Sequence, residues 1–307
     1  MGTDEFVTSA AGQDPLSRPT SSARLSLTTL ANKFGTDKGT TTLDGHGYTL
    51  VYEGLFESFR DHPINLLEVG LSIGGPELGN DANRKVTDAP SMRLWHEYFP
   101  KAHIYGLDIS DFSHFQSEWF SFFRVDCGNA DKLEQIARAG ISFDIIVDDG
   151  SHASFHQQLT MLKLFPLVKS GGLYIIEDLN WQPRHYERSL PSTPKTTAQL
   201  VNFITNARFI GTSTIPSEEW LFATSNIRTV ILFDDDQLAG MRRVFNRVQG
   251  YRAAVPHYLE TPWPQRILMR AHARRVIETA KACTKVIVGQ VARGRCSPVK
   301  LAVIRKQ

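Results

Sequence analysis

The chain has 307 residues, of which 41% are hydrophobic and 21% are charged, and its formal net charge at pH 7 is +2. These values are close to globular averages, so they exclude a wholly disordered, collagen-like or disulfide-dense protein and allow one large α/β domain. Cys127, Cys283 and Cys296 form no C-x-x-C pair, and no secretory signal or run of about 18 apolar residues is present, which predicts a cytoplasmic protein without a transmembrane segment.

The first part of the chain contains two segments of different composition. Residues 1–24 are rich in Ser, Thr, Ala and Gly and show no sustained periodicity, so they are predicted to be a flexible leader. Residues 25–62 contain two apolar patterns with helical spacing, over 25–34 and 50–59. They are predicted to form an N-terminal helical cap.

Residues 63–261 show strands and helices in alternation. Six short apolar runs are predicted to be buried strands: 64–70, 103–109, 122–126, 143–149, 171–178 and 229–233. Four amphipathic stretches are predicted to be helices: 91–98, 132–139, 156–167 and 197–210. Ser91 is the expected N-cap of the first of these helices. The alternation predicts an α/β fold, a doubly wound, Rossmann-like, mostly parallel sheet with helices on both faces.

Residues 262–307 are expected to be a basic, helical tail. They contain eleven Lys or Arg residues and one acid, so they carry a charge of +10 and the preceding residues carry −8. An acidic body is unlike that of a nucleic-acid enzyme, whose basic face surrounds the site, so no nucleic-acid partner is expected. Apolar residues over 265–292 have the spacing of an amphipathic helix. We expect this helix to dock on the body, with a second subunit of a homo-oligomer or weak peripheral contact with a membrane as the alternatives.

Polar residues and glycines end the first predicted strands, where open α/β sheets bind their ligands. The first strand ends with Glu68 and Gly70, and a glycine there lets backbone N–H groups approach a ligand, although the spacing is not the dinucleotide G-x-G-x-x-G. Asp108 ends the second strand, where its carboxylate either accepts hydrogen bonds from ribose hydroxyls or caps the next helix. The third strand is followed by Asp126, Cys127 and Gly128.

The fourth and fifth predicted strands end in a denser group of acids. Asp149 ends one strand and Glu177 and Asp178 end the next, so neighbouring strands would bring the three carboxylates to one rim of the sheet. Clustered carboxylates repel one another unless a cation neutralises them, and such oxygen ligands suit Mg²⁺. His152 would stand beside this ion as a general base. The alternative is that the acids cap helices and His152 is a surface or packed histidine.

Several stretches of the chain carry a family resemblance. They are Phe34-Gly-Thr-Asp-Lys-Gly with His46-Gly-Tyr, Leu66-Leu-Glu-Val-Gly, Ser91-Met-Arg-Leu-Trp-His-Glu-Tyr-Phe-Pro, Ile104-Tyr-Gly-Leu-Asp-Ile, Phe143-Asp-Ile-Ile-Val-Asp-Asp-Gly-Ser-His and Leu164-Phe-Pro-Leu-Val-Lys-Ser-Gly-Gly-Leu-Tyr-Ile-Ile-Glu-Asp-Leu. With these motifs the body resembles the class I S-adenosylmethionine (SAM)-dependent methyltransferases, and more narrowly the metal-dependent macrolide sugar O-methyltransferases of antibiotic biosynthesis. The resemblance extends over residues 27–210.

The resemblance implies a class I methyltransferase fold, SAM and Mg²⁺ as cofactors, and a sugar hydroxyl of a natural-product glycoside or glycan as the acceptor. It implies that His152 accepts the proton and that the metal ligands are Asp149, Glu177 and Asp178. It also implies that the SAM pocket is lined by Glu68, Gly70, Asp108, Asp126, Cys127, Gly128 and Asp149. Asp37 and Tyr48 are implied to belong to a cap over the cofactor.

Four other functions are alternatives. A metal-dependent hydrolase, or an oxygenase resembling the cephalosporin hydroxylases, would use the same fold, but iron oxygenases usually need two histidines and only His152 lies near the acids. A nucleotide-sugar oxidoreductase is disfavoured because G-x-G-x-x-G is absent. A non-catalytic glycan-binding protein would not need the acids and the histidine together.

Overall fold

The structure is a computed structural model that describes residues 24–41, 45–260 and 298–307. Its strands are β1 (Asn65–Val69), β2 (His103–Asp108), β3 (Phe120–Arg124), β4 (Phe143–Asp148), β5 (Val168–Ile176), β6 (Ile227–Asp234) and β7 (Val299–Lys306). Its helices are α1 (Leu27–Phe34), α2 (Thr49–Phe56), α3 (Pro90–Tyr98), α4 (Ala130–Arg138), α5 (Ser154–Leu164), α6 (Arg184–Ser189), α7 (Thr196–Asn206), α8 (Ser217–Asn226) and α9 (Asp235–Glu260).

All seven strands belong to one sheet, in the order β3-β2-β1-β4-β5-β7-β6. The pairs from β3 to β5 are parallel, and β7 lies between β5 and β6 antiparallel to both. The strand order reverses between β1 and β4, which is the switch point where ligands bind in doubly wound sheets. The predicted doubly wound, mostly parallel sheet is confirmed.

The sheet is covered on both faces because its strand residues alternate between two apolar layers. Leu66 of β1 belongs to a core cluster with Trp95 of α3 and residues of α1 and α2. The next residue, Leu67, points to the opposite face and packs in a cluster with Leu162 of α5 and residues of α4, α7 and α8. This period of two in a strand buried on both faces is expected for a parallel sheet.

The loop between α1 and α2 brings the N-terminal region to the edge of the sheet. Ser26 caps α1 by accepting the N–H of Thr29 (3.1 Å), and Gly35 ends the helix with φ +74°. The carbonyl oxygen of Lys38 accepts the N–H (3.1 Å) and the hydroxyl (3.0 Å) of Thr49, the first residue of α2. These bonds fix residues 36–41 above the carboxyl ends of the central strands.

Two sequence predictions about elements are wrong. Ser91 is not an N-cap, because α3 begins one residue earlier at Pro90, whose fixed φ suits the first helical position. Residues 299–306, part of the predicted helical tail, form β7 between two strands. Residues 1–23 of the predicted leader, and the predicted helix over 265–292, lie outside the described residues. Among the helices that the structure describes, none combines the length and the apolar character that crossing a membrane requires.

Candidate active site

A cavity of about 820 Å³ opens at the carboxyl end of the parallel strands. Residues that follow four different strands line it, including Gly70 after β1, Asp108 at the end of β2, Asp149 after β4 and Asp178 after β5. Because the loops of parallel strands meet at this edge, the cavity collects side chains that are distant in the sequence. It is therefore the candidate active site.

Asp149, His152 and Asp178 form a compact group in this cavity, here called the acid–histidine cluster. Each offers one ligand atom, and these atoms lie within 4.8 Å of one another. The backbone of His152 (φ 59°) and Asp178 (φ 50°) is left-handed, a conformation that residues other than glycine seldom adopt and that concentrates at functional sites. The structure thus brings together three of the four residues predicted for the metal and the proton transfer.

Glu177, the fourth residue of that prediction, does not line the cavity. Its side chain is 1% exposed. One carboxylate oxygen accepts a hydrogen bond from Lys38 Nζ at 2.8 Å, and the other accepts one from the Tyr52 hydroxyl at 2.5 Å. Burial raises the pKa of this carboxyl to about 7, and Lys38 opposes the shift. Glu177 therefore lies behind the acid–histidine cluster in an ion pair and not within it, which differs from its predicted place among the metal ligands.

Lys38 is the central cation of the site. Its ammonium lies 2.5 Å from Asp149 Oδ2, 2.8 Å from Glu177 Oε2 and 3.2 Å from Glu68 Oε1, and its side chain is 2% exposed. Burial alone would lower the pKa of Lys38, but the three carboxylates outweigh burial and raise it well above 10.5. The lysine is thus a permanent positive charge that holds three acids from three different strands in place.

Tyr48 holds Asp178 through two hydrogen bonds. The Tyr48 hydroxyl donates to Asp178 Oδ1 at 2.8 Å and accepts the Asp178 N–H at 3.2 Å, which stabilises the left-handed backbone there. His46 Nε2 lies 3.7 Å from the other carboxylate oxygen. Tyr48 is fully buried and does not line the cavity, so the structure does not place it in a cap over a cofactor. Asp37, the other residue predicted for the cap, does line the cavity.

His152 has the environment of a neutral imidazole. Burial lowers its pKa below 6.5, although the charge of Asp178 opposes the shift. Its Nδ1 is buried and has no hydrogen-bond partner within the described part of the chain. The exposed ring of Trp181 lies edge-on to the imidazole with the centroids 5.3 Å apart. A neutral imidazole that lines the cavity beside two carboxylates can accept a proton from a bound ligand.

The first two strands provide the other wall of the cavity. Asp108 Oδ2 accepts the N–H of Leu71 at 2.8 Å and Oδ1 accepts the N–H of Ser110 at 2.7 Å, so this carboxylate holds the loop that contains Gly70. Asp108 does not cap a helix. Glu68 accepts a hydrogen bond from the indole of Trp95 at 2.8 Å, and it lines the cavity together with Asp108 and Gly70.

Of the three residues predicted after β3, two line the cavity and one does not. Asp126 and Cys127 line the cavity, whereas Gly128 does not. Gly128 instead packs against His156, whose Nε2 would lie 2.7 Å from an added Cβ atom, and its N–H donates to Asp126 Oδ1 at 2.8 Å. Burial raises the pKa of the Cys127 thiol far above its usual range, so this cysteine is not a nucleophile.

The acid–histidine cluster fits a hard divalent cation. Two carboxylates from neighbouring strands face each other across less than 4.8 Å, and burial, followed by repulsion from Glu177, raises the pKa of Asp149 well above 3.8. A divalent cation would relieve that repulsion and leave positions for water or a ligand. One histidine in the cluster, counted over the described residues, suits Mg²⁺ better than the two-histidine iron sites.

Gly70 sits where only glycine fits. Its φ is +80°, and an added Cβ atom would lie 2.6 Å from the carbonyl carbon of Asp149 and in collision with its oxygen. We expect Gly70→Ala to lower the free energy of unfolding by about 1–3 kcal/mol, because the strained contact is with backbone that cannot move aside cheaply. Gly140→Ala is the matched control, since Gly140 has φ +72° but no atom within 4 Å of its Cβ position. Equal losses in urea denaturation of both variants would contradict the close approach.

Sequence reasoning missed two residues of this site. Lys38 was contained in a recognised motif, but it lies 111 residues from Asp149, and nothing local indicates which carboxylates it meets. Trp181 follows β5 by five residues, and its place beside His152 depends on the path of a loop. An exposed tryptophan close to a strand end was the available signal.

Comparison with known proteins identifies similar enzymes. No protein-family model matches the chain. The chain is 39% identical over 137 residues to mycinamicin VI 2''-O-methyltransferase of Micromonospora griseorubida, a match that covers 44% of this chain and 32% of the relative. It is 35% identical over 156 residues to 8-demethyl-8-alpha-L-rhamnosyl tetracenomycin-C 2'-O-methyltransferase of Streptomyces olivaceus, covering 50% of this chain and 37% of the relative.

A solved structure of similar fold is also a methyltransferase. The MycE methyltransferase of the mycinamycin biosynthetic pathway, in complex with Mg and SAH, superposes with a TM-score of 0.55 at 28% identity, over 69% of this chain and 53% of that chain. The class I methyltransferase fold and the resemblance to macrolide sugar O-methyltransferases are therefore confirmed. The chain spans only about a third of the length of the curated relatives it matches.

Proposed function

We propose that the chain is a SAM- and Mg²⁺-dependent O-methyltransferase that methylates a hydroxyl group of a sugar-containing acceptor. The observation that carries the proposal is the acid–histidine cluster, which lies in one cavity with the glycine loop of β1 and with Asp108 of β2. The named relatives methylate sugar oxygens, and the similar solved enzyme binds Mg and SAH.

The charge of the cavity supports a cationic cofactor. Seven acidic residues and two lysines, Lys38 and Lys300, line the cavity, which gives a formal charge of −5 with neutral histidines. A sulfonium and a divalent cation would together offset three of these charges, whereas an anionic group placed inside this cavity would be repelled. Glu68, Gly70, Asp108, Asp126, Cys127 and Asp37 form the wall that would hold SAM.

Asp149 and Asp178 would hold the Mg²⁺ ion, and Lys38, which is itself paired with Glu177, fixes Asp149. When bound, such an ion acts as a Lewis acid that lowers the pKa of a hydroxyl group. Tyr48 keeps Asp178 oriented through two hydrogen bonds. Because Asp149 and Asp178 would bind the ion, another group must accept the proton.

His152 would take the proton of the acceptor hydroxyl. Its imidazole is neutral at pH 7 because burial lowers its pKa, and the residue lines the active-site cavity. A proton acceptor held at the reacting group typically accelerates transfer by ~10²–10⁴-fold. Trp181, beside His152, offers an apolar face on which a sugar ring can pack.

Removal of the metal tests the proposal. We expect excess EDTA to lower methyl transfer from SAM to a rhamnosyl glycoside by about tenfold or more, because the carboxylates alone cannot activate a hydroxyl group. Added Mg²⁺ or Mn²⁺ should restore the rate, which is measured as SAH formation. EDTA saturated with Mg²⁺ beforehand is the control. Full activity in excess EDTA would contradict the metal assignment, and absence of transfer with metal present would favour a glycan-binding protein.

Other expectations remain predictions. These are the cytoplasmic location, the docking of the predicted helix over 265–292, the peripheral membrane contact and the homo-oligomer, for which the described residues offer no test. The division into leader, cap, SAM-binding domain and tail also stays a prediction. In the structure the predicted cap shares its apolar core with α3 and the sheet.

A further inference from the structure

A second groove adjoins the active-site cavity at Trp181. It has a volume of about 890 Å³ and is lined by α6 and by the loop over 190–195. Asn180 and Trp181 line both the groove and the active-site cavity. Trp181 is 43% exposed and contacts His152 edge-on, so a ligand that reaches His152 can continue past the indole into the groove.

The walls of this groove are fixed by buried hydrogen bonds. The fully buried Gln158 of α5 donates to the carbonyl oxygen of Pro194 at 2.6 Å and thereby anchors the loop over 190–195. Glu187 of α6 accepts the N–H of Ser154, the first residue of α5, at 3.3 Å. The groove is therefore a formed part of the fold.

The groove is basic, and its cations have no ion-pair partner in the part of the chain that the structure describes. Arg184, Arg188 and Lys195 line it and are exposed, and none of them forms an ion pair or a side-chain hydrogen bond with a residue in the described ranges. The acid among its lining residues, Glu187, is engaged by Ser154. The formal charge of the groove is therefore +2.

Two of these cations stand on one face of α6. Arg184 and Arg188 are four residues apart in a helix, so their guanidinium groups are neighbours and repel each other when no anion lies between them. Guanidinium groups bind phosphate oxygens through two parallel N–H donors, which a lysine cannot do. A phosphate group has enough acceptor oxygens to bind both guanidinium groups at once.

The charge reverses between the two spaces. The active-site cavity is acidic, with a formal charge of −5, and the groove beyond Trp181 is basic. An anionic group on the acceptor would be repelled from the acid–histidine cluster and attracted to the groove. A ligand that carries both a sugar and a phosphate would therefore bind in one orientation only.

We propose that the acceptor is a sugar that carries a phosphate or diphosphate group, with the sugar beside His152 and the phosphate bound by Arg184, Arg188 and Lys195. This inference rests on the proposed function, since it specifies the substrate of the same site. Trp181 separates the two parts and packs against the sugar ring. The phosphate could belong to a sugar 1-phosphate or to a nucleoside diphosphate sugar, and the experiment distinguishes these sources.

The test is calorimetric titration of the full chain, with SAH and Mg²⁺ present, by methyl α-L-rhamnoside, α-L-rhamnose 1-phosphate and thymidine diphosphate rhamnose. We expect at least one phosphorylated probe to bind about tenfold or more tightly than the neutral rhamnoside, which is a difference of about 1.4 kcal/mol. Preference for one phosphorylated probe over the other identifies the source of the phosphate. The variant R184Q/R188Q/K195Q should remove the preference.

A matched variant controls for net charge. The positions Lys101, Arg208 and Arg228 are exposed and line neither space, so K101Q/R208Q/R228Q should keep the preference. Equal affinities for the neutral and phosphorylated probes in the unmodified chain, or a preference that survives in the groove variant, would overturn the inference. Because the readout is binding, absence of methyl transfer with an intact phosphate preference would contradict the proposed function and not the groove.

Discussion

We expect His152→Ala and His152→Asn to lower kcat for methyl transfer by about 10²–10⁴-fold while the affinity for SAM is unchanged. Neither side chain can accept a proton near pH 7, and His152 has no structural hydrogen bond through Nδ1 within the described residues. The asparagine variant controls for a change in backbone conformation, because asparagine tolerates the left-handed conformation that His152 adopts at φ 59°. Single-turnover rates and SAM titrations measure the two quantities separately.

The control for this prediction is a histidine in the same sheet. His103 in β2 is hydrogen-bonded to Ser121 at 2.8 Å and does not line the cavity, so His103→Asn should keep its turnover. If the alanine variant is inactive and the asparagine variant is fully active, backbone geometry explains the loss. That result would remove His152 from proton transfer.

The dependence of kcat on pH gives an independent readout. Burial lowers the pKa of His152 below 6.5, so the imidazole is neutral and competent above that pKa and becomes protonated only below it. We expect kcat to fall on the acid side, with a midpoint below pH 6.5, as pH decreases. This acid limb should be absent from the residual activity of His152→Asn.

The second large effect is expected at Lys38. Lys38→Met leaves three buried or partly buried carboxylates, Glu68, Asp149 and Glu177, without the cation that joins them. Removing one partner from a buried ion-pair network typically costs about 3–5 kcal/mol, because the remaining charges stay desolvated. We expect a loss of this size in the free energy of unfolding, measured by urea denaturation.

Lys33→Met is the matched control for Lys38→Met. Lys33 pairs with Glu97 at 2.7 Å, but its side chain is 43% exposed, and exposed pairs contribute about 0–1 kcal/mol. Similar losses in the two variants would show that the Lys38 network does not carry the stability assigned to it. The comparison separates burial from simple charge removal.

The loss at Lys38 should also depend on pH. The folded-state pKa of Glu177 is raised from 4.5 to about 7 by burial even though Lys38 lowers it, and without Lys38 it should rise further. Protonation therefore favours the folded state as pH falls through that value, and this stabilisation is lost as pH rises. We expect the deficit of Lys38→Met to be smaller at about pH 5.5 than at about pH 8.

The residues of the acid–histidine cluster could be predicted from the sequence, but the hydrogen bonds and ion pairs that hold them could not. Asp149, His152 and Asp178 could be placed because parallel strands end at a common edge, so acids after two neighbouring strands must meet there. The sequence could not show which of Glu177 and Asp178 faces the cavity. The direction of each side chain depends on the local backbone, and the φ of 50° at Asp178 cannot be read from the residue order. The partners of Lys38 depend on how the N-terminal loop packs over the sheet, which no local pattern records.

The C-terminal strand was missed for a similar reason. Residues 299–306 contain three basic residues among apolar ones, and the run of basic residues before them suggested a helical surface. β7 is a strand because β5 and β6 offer hydrogen bonds on both of its edges. Strand propensity reflects such neighbours more than it reflects the residues themselves.

The position of β7 has a consequence for the order of folding. Among the strands that the structure describes, β6 pairs with β7 alone, and more than sixty residues separate these two strands along the chain. Strands β1–β5 lie closer together along the chain and can associate early, whereas the β5–β7–β6 end must wait for two strands more than sixty residues apart to meet. Until β7 has paired with β5, that edge of β5 is open to pairing with another chain, so this late step is exposed to misassembly.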